Sequence, residues 1–276
     1  MAGVSSESLA SALADLETML PSASLSLSEE LFSVLRTVDA SAGLRRAMTD
    51  PSREGDDKSA LVQRLLAGKV SAQAVDIVSR LAALRWADSR DVSDALETLA
   101  ATVAIAVAEQ GAGQPGLGGL EQLENDLFSF IRVVEDSHDL QAALSEPQAA
   151  PQAKRALALK LAGGASAEAR LLIGQAAAEP RGLKSTVLVK RFAALAAKRQ
   201  ERWIAEVAVA RPLTDDQLDR LQGGLNGLYG RELKITTTVD PQLLGGVRVT
   251  VGDEVLDAST LARLTELRRQ LAGQAG

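Results

Sequence analysis

VDPQLLGGVRVTVGDEVLDAS, residues 239–259, holds two short runs of strand character, Val247–Val251 and Val255–Leu256, joined by Gly252, Asp253 and Glu254. Val247, Val249 and Val251 fall on one face and Arg248 and Thr250 on the other, the two-residue period of a half-buried antiparallel strand. Gly-Asp-Glu between the runs is hairpin punctuation. Asp240-Pro241 and Gly245-Gly246 upstream are turn chemistry, because Pro presets one backbone angle and Gly permits angles that other residues avoid. A closing helix is expected after Ser259, its N-cap, with Arg263, Arg268 and Arg269 toward the end that favours cations.

Working backward from this hairpin, Leu233–Val239 is a Thr-rich, β-branched strand. Thr214 with Gln217 three residues on is a capping box that opens a helix to about Tyr229, closed by Gly230. Ile204–Val209 alternates like a strand and ends before Arg211-Pro212. The order strand, helix, strand, hairpin, helix is that of a small α+β domain, residues 203–276.

Everything before it reads as helix, and it repeats. LFSVLRTVDASAGLRRAMTDP, residues 31–51, and LFSFIRVVEDSHDLQAALSEP, residues 127–147, match at an offset of 96 at Leu31, Phe32, Ser33, Arg36, Val38, Ser41, Leu44, Ala47 and Pro51. The match extends through Lys58, Ala60 and Leu61 to Gly68 against Gly164. Leu31, Leu35 and Val38 recur as Leu127, Ile131 and Val134 at i, i+4, i+7, the spacing of one helix face. Pro51 and Pro147 punctuate helices, Gly68 and Gly164 suit C-terminal caps, and Ser71 and Ser166 stand where N-caps belong. Each copy accommodates five or six short helices, too long a unit for a solenoid repeat. The boundaries expected are a first bundle at 1–97 and a second at 98–202, with Asp91–Gln110 serving as the end of one and the first helix of the next. PSASLSLS, residues 21–28, and GAGQPGLGG, residues 111–119, are expected as equivalent loops. The fold class is mainly α: two tandem helical bundles followed by the small α+β domain.

Composition bounds the chemistry. The chain has 276 residues, 46% of them apolar but only 3% aromatic, so its apolar content is mostly Ala, Leu and Val, suited to close-packed helices. With no cysteine and one histidine it offers no thiolate and a poor zinc ligand set. A net charge of −6 with scattered cations argues against nucleic acid as a partner. The N-terminus lacks the basic start and apolar run of a secretory signal. The most apolar run, Leu99–Ala108, is half of the ~20 residues a membrane helix needs, so no direct membrane insertion is expected.

Apparent catalytic motifs dissolve on inspection. Ser137-His138-Asp139 has triad residue types, but adjacent positions cannot give triad geometry, and a surface histidine is the reading. Gly68-Lys69-Val70-Ser71 lacks the first glycine and the Lys-Ser/Thr junction of a phosphate loop, leaving a helix cap and an N-cap. Gly116, Gly118 and Gly119 follow no strand. Asp215-Asp216 are first-turn acids of a helix. The basic stretch Arg181, Lys184, Lys190, Arg191, Lys198, Arg199 and Arg202 is read as a solvated helix face, the alternative being contact with an acidic partner. Trp203 beyond it is read as a core or interdomain anchor and not as a ligand platform.

The ordered set Asp240, Pro241, Gly245, Gly246, Gly252, Asp253 and Asp257 resembles the C-terminal signature of the delta subunit of F-type ATP synthase, the bacterial counterpart of the oligomycin-sensitivity-conferring protein. The chain departs from it at Asp257-Ala258-Ser259, where the family pattern has Asp-Gly-Ser. Residues 98–276 resemble an ordinary delta subunit in length and order, and 1–97 look like an extra bundle, as in enlarged actinobacterial forms. The resemblance implies a non-catalytic stator subunit without a cofactor. It would lie at the cytoplasmic side of the cell membrane, gripping N-terminal segments of alpha subunits and the end of a separate b-type stalk. By position, the alpha-binding groove falls between the helix of Val103 and Val107 and the helix of Leu172, and Val103→Asp would abolish docking by burying a charge. A helical adaptor unrelated to ATP synthase is the alternative.

Overall fold

The computed structural model describes residues 3–111, 117–230, 233–243 and 245–258. They fall into two compact units that divide after Ala196.

The first unit is all helical: α1 (Val4–Glu17), α2 (Leu25–Ala40), α3 (Ala42–Thr49), α4 (Gly55–Leu66), α5 (Ala72–Ala83), α6 (Asp91–Glu109), α7 (Leu117–Glu135), α8 (His138–Ser145), α9 (Pro151–Leu161), α10 (Ala167–Ala178) and α11 (Ser185–Gln200), the last running past the division. The repeat is visible in the boundaries, since α3 and α8 start and stop 96 residues apart. It is also visible in the caps. Ser41 and Ser137 Oγ accept from the amides of Leu44 and Leu140 at 3.2 and 3.3 Å. Ser71 and Ser166 do the same for Ala74 and Ala169 at the starts of α5 and α10. One device escaped the identity match because the residue changes. Glu30 on α2 accepts from the Ser71 amide at 3.1 Å, and Asp126, its equivalent on α7, accepts from the Ser166 amide at 2.8 Å.

The spine of this unit is α6. Val92, Ala95, Leu96, Ala100, Val103, Ala104 and Ala106 have no exposed surface at all, and buried residues occupy every side of the helix. A helix apolar all round belongs in an interior, which accounts for the Leu99–Ala108 run. It packs against α1, α2 and the Leu20–Ser22 turn of the first copy and against α7 and α10 of the second. The small side chains of its middle let α2 approach closely enough for Ser28 Oγ to donate to the Ala100 carbonyl at 2.7 Å in a buried position. The two expected glycine- and serine-rich loops are shorter than the sequence suggested. Leu25–Ser28 already belongs to α2, and Leu117–Gly119 to α7, because the leucines that follow set a helical apolar phase which extends backward. Gly68 adopts φ +71° after α4, whereas Gly164 is absent from the positive-φ residues, so only the first copy closes that helix with a left-handed residue.

The second unit holds β1 (Ile204–Val209), α12 (Asp215–Tyr229), β2 (Lys234–Val239), β3 (Val247–Val251) and β4 (Glu254–Asp257). The strands form one sheet in the order β2-β1-β3-β4, with β1 and β2 parallel and the other pairs antiparallel. Thr214 and Gln217 make the reciprocal capping box, and Gly230, at φ 64°, ends α12. Ala205, Val207, Val209, Val249 and Val251 form the inner face, over which α12 places Leu225, with Leu221 and Tyr229 packed around it. The hairpin turn is tighter than expected. Val251 pairs with Glu254, so only Gly252 and Asp253 make the turn and Glu254 is a strand residue. Gly252 sits at φ +58°, the first-position glycine that a two-residue turn of this hand requires. The expected helix after Ser259 lies outside the described residues.

Candidate functional site

The signature residues of the C-terminal unit turn out to be architects of its turns. Asp240 extends the β1–β2 register by donating its amide to Val209 O at 2.9 Å, and its carboxylate accepts from the Gln242 amide at 2.9 Å. Pro241 follows in that turn, which seats Leu243 at 6% exposure. Gly245 and Gly246 take φ values of 149° and 80° before β3. Gly252 and Asp253 make the hairpin turn, and Asp257 pairs across the strands with Arg248 at 3.4 Å.

In the helical unit, Val103 and Leu172 are both 0% exposed, and Val107 is half-buried. Their helices, α6 and α10, do pack together. The seam between them is closed at Val103 and Leu172, with α2 of the first copy also against both helices. Open surface appears one turn further on. There the end of α6 (Ala108, Gly111), the start of α7 (Gly118, Gln122) and the start of α10 (Ser166) line a cleft of about 380 Å³.

The basic stretch requires a correction at its first member. Arg181 is not on a solvated helix face: it precedes α11 in a turn at φ +51°, and its side chain is only 10% exposed. Its guanidinium reaches Asp39 of α2 at 2.6 Å and, on α6, Asp94 at 2.8 Å and Glu97 at 3.4 Å. Arg90 donates to its carbonyl at 2.8 Å. Burial pushes the Glu97 carboxyl up, with Arg181 pulling the other way, while the three carboxylates hold Arg181 charged. A loop of the second copy is thereby tied to α2 of the first. No local pattern announces this, because a lone Arg in a turn looks the same whether its partners are nearby or far along the chain. Lys190 pairs with Glu135 at 2.6 Å, joining α11 to α7, while Lys184 and Arg191 are exposed.

None of the sequence's apparent catalytic motifs becomes a centre. Ser137 Oγ is committed to capping α8, and His138 is exposed in that helix's first turn. Lys69 lies between the left-handed Gly68 and the N-cap Ser71. Asp215 and Asp216 are first-turn residues of α12. Among the described residues no group of His, Asp and Glu is gathered to hold a metal ion, and no helix is long and apolar enough to cross a membrane. What the fold provides is helix surface and a sheet whose turns are tightly specified, which defines a protein of the mainly α class with a small α+β unit.

The particular kind follows from relationship. The chain belongs to the ATP synthase delta (OSCP) subunit family, whose model matches residues 99–271. It is 65% identical to the ATP synthase subunit delta of Pseudarthrobacter chlorophenolicus and 62% identical to that of Renibacterium salmoninarum, in each case over 99% of this chain and 100% of the relative. The similarly named Streptomyces griseus protein is 38% identical over the same shares. Membership of this family sets aside the alternative of a helical adaptor unrelated to ATP synthase. The family model begins inside α6, yet these relatives align from end to end, so the stretch before residue 99 is common to them.

Proposed function

We propose that the chain is the stator subunit that links the catalytic alpha/beta head of F-type ATP synthase to a b-type peripheral stalk. It works at the cytoplasmic side of the cell membrane, held there through the complex, and keeps the head from turning with the rotor so that proton flow drives ATP synthesis. The observation that carries this reading is full-length relationship to delta subunits in a chain built of helix-packing surfaces and a small sheet. A torque-bearing link needs apolar area, since exposed ion pairs are each worth little. Within this reading the helical unit receives N-terminal segments of alpha subunits and the sheet unit engages the stalk. The alpha contact near α6 and α10 uses the end of α6, where Val107 keeps some surface and Ala108 and Gly111 line the cleft, because Val103 and Leu172 have no surface to offer.

The test is simultaneous capture by the full chain of the isolated head and a soluble b-type segment. Binding to both at once supports the link, and failure to bind the head removes it. Fragments cut at residue 97 would be misleading, because that cut falls within α6.

A further inference from the structure

The first copy buries a lysine that the stator function does not use. Lys58 on α4 is only 3% exposed, and its ammonium donates to the Leu84 carbonyl, just past the end of α5, at 2.7 Å. That bond caps α5, where a cation suits the helix dipole. An ammonium has three donors, however, and among the described residues two of them meet no acceptor and no carboxylate pairs with the charge. Burial, with Arg85 adding to it, holds the ammonium below the ordinary lysine range. A buried cation without a counter-charge is costly, and this one lines a cleft of about 290 Å³.

The other walls of the cleft supply further donors. Arg53 and Arg85 line it, and so does Gly55, the first residue of α4. The N-cap of α4, Glu54, makes no side-chain cap bond, so the first-turn amides are left to other acceptors. Gly55 is what brings them here, since an added Cβ would stand 2.9 Å from the Ala83 carbonyl at the end of α5. The lining holds two acids against these cations. Asp50 is already engaged, accepting from the Ser52 amide and hydroxyl at 2.9 and 2.7 Å and lying 3.6 Å from Arg53. Glu54 is exposed, and Asp56 and Asp57 are exposed outside the lining. The second copy does not repeat the arrangement: α9 opens on Pro151, which has no amide hydrogen, and Lys154, the equivalent of Lys58, is half-buried.

We propose that this cleft is an oxyanion site of the first copy that takes one phosphate-like group, anchored on Lys58 and completed by Arg85 and the amides at the start of α4. Donors that arrive from a helix start, a buried side chain and a turn suit a tetrahedral group better than a planar carboxylate. Trp86, 7% exposed, forms a wall and not a ligand, because its indole N–H is committed to the Leu81 carbonyl at 3.0 Å. The site belongs to this chain alone and stands or falls apart from the stator function.

The chain has two tryptophans, so Trp203→Phe leaves Trp86 as the single reporter. The full-length chain carrying that change is titrated with inorganic phosphate, acetate and chloride at fixed ionic strength, reading Trp86 fluorescence and the unfolding temperature. Phosphate is expected to give a saturable fluorescence change and a rise in unfolding temperature, with acetate weaker and chloride without effect. Lys58→Met should lower phosphate affinity about tenfold or more, as for a lost charge-assisted hydrogen bond. Arg85→Gln, at an exposed side chain whose loss leaves the fold intact, should lower it several-fold, and Glu54→Gln should raise it by removing a repulsion. Lys69→Gln, exposed outside the cleft, should change nothing. No saturable response to phosphate in either readout, an equal response to chloride, or a response retained in both Lys58→Met and Arg85→Gln overturns the site. Tighter binding of acetate than of phosphate overturns its assignment to a phosphate-like group.

Discussion

Arg181 shows how much of this molecule's cohesion rests on single side chains that bridge distant segments. One nearly buried guanidinium faces three carboxylates, and removing it leaves the buried Glu97 without its partner beside the part-exposed Asp39 and Asp94. Arg181→Leu is expected to destabilise the helical unit by about 3–5 kcal/mol, the range for breaking a buried ionic group by deleting one partner, as read from urea unfolding. Glu97 behaves differently. Its folded-state pKa is raised, chiefly by burial, so between its ordinary value of 4.5 and the raised one the folded chain holds a proton that the unfolded chain has released. Stability contributed by Glu97 is thus lost as pH rises through that window. Glu97→Gln should then gain stability relative to wild type on going from pH 4.5 to pH 7. Parallel urea titrations at the two pH values check this, and a variant that loses stability relative to wild type toward pH 7 would refute it. Nothing in the sequence distinguished Arg181 from its neighbours in the basic stretch, because a buried ion cluster is set by tertiary contacts and leaves no local period.

At the scale of elements the sequence was far more readable, and the reason is chemical. Helix caps, left-handed closures and hairpin turns each depend on two or three adjacent residues, so Thr214 with Gln217, Gly230, Ser71 and Ser166 declared themselves before any coordinates. Boundaries failed where a weak local preference met a stronger nonlocal one, as when the apolar phase of α7 drew the glycines Gly118 and Gly119 into a helix. The caps permit a direct test of the duplication. Ser71→Ala and Ser166→Ala each remove an acceptor from a helix start and should each cost about 1 kcal/mol. The two effects should add within error, because the caps share no partners. In the sheet unit, Gly252→Ala is expected to cost about 1 kcal/mol through backbone strain, since the turn needs φ +58°. Space is not the obstacle, as the added methyl would meet Arg202 at an ordinary 3.6 Å. Thermal unfolding of that variant should show the loss in the sheet signal.

For the molecule as a whole, the decisive feature is that the helix most apolar in sequence is shared by both repeats. The groove expected at Val103 and Leu172 was a positional inference from a bundle with a free outer face, and it met a chain in which both residues are fully enclosed. Duplication changes what a helix is for: a surface that one copy could offer to a partner becomes the internal joint between two. Val103→Asp therefore probes cohesion and not docking. Burying an uncompensated carboxylate in the middle of α6 should disrupt packing on both sides of the spine. Hydrogen exchange on the full-length variant is expected to accelerate together in α2 and in α10, which contact α6 from the first and second copies. Acceleration confined to α7–α10, with α2 protected as in wild type, would mean that the copies are independently stable and that α6 belongs energetically to the second. Val107→Asp, at the half-buried end of the same helix, supplies the contrast: it should leave exchange in α2 unchanged while weakening capture of the catalytic head. Loss of folding in the first variant and loss of binding in the second would separate the part of α6 that holds the molecule together from the part that faces outward.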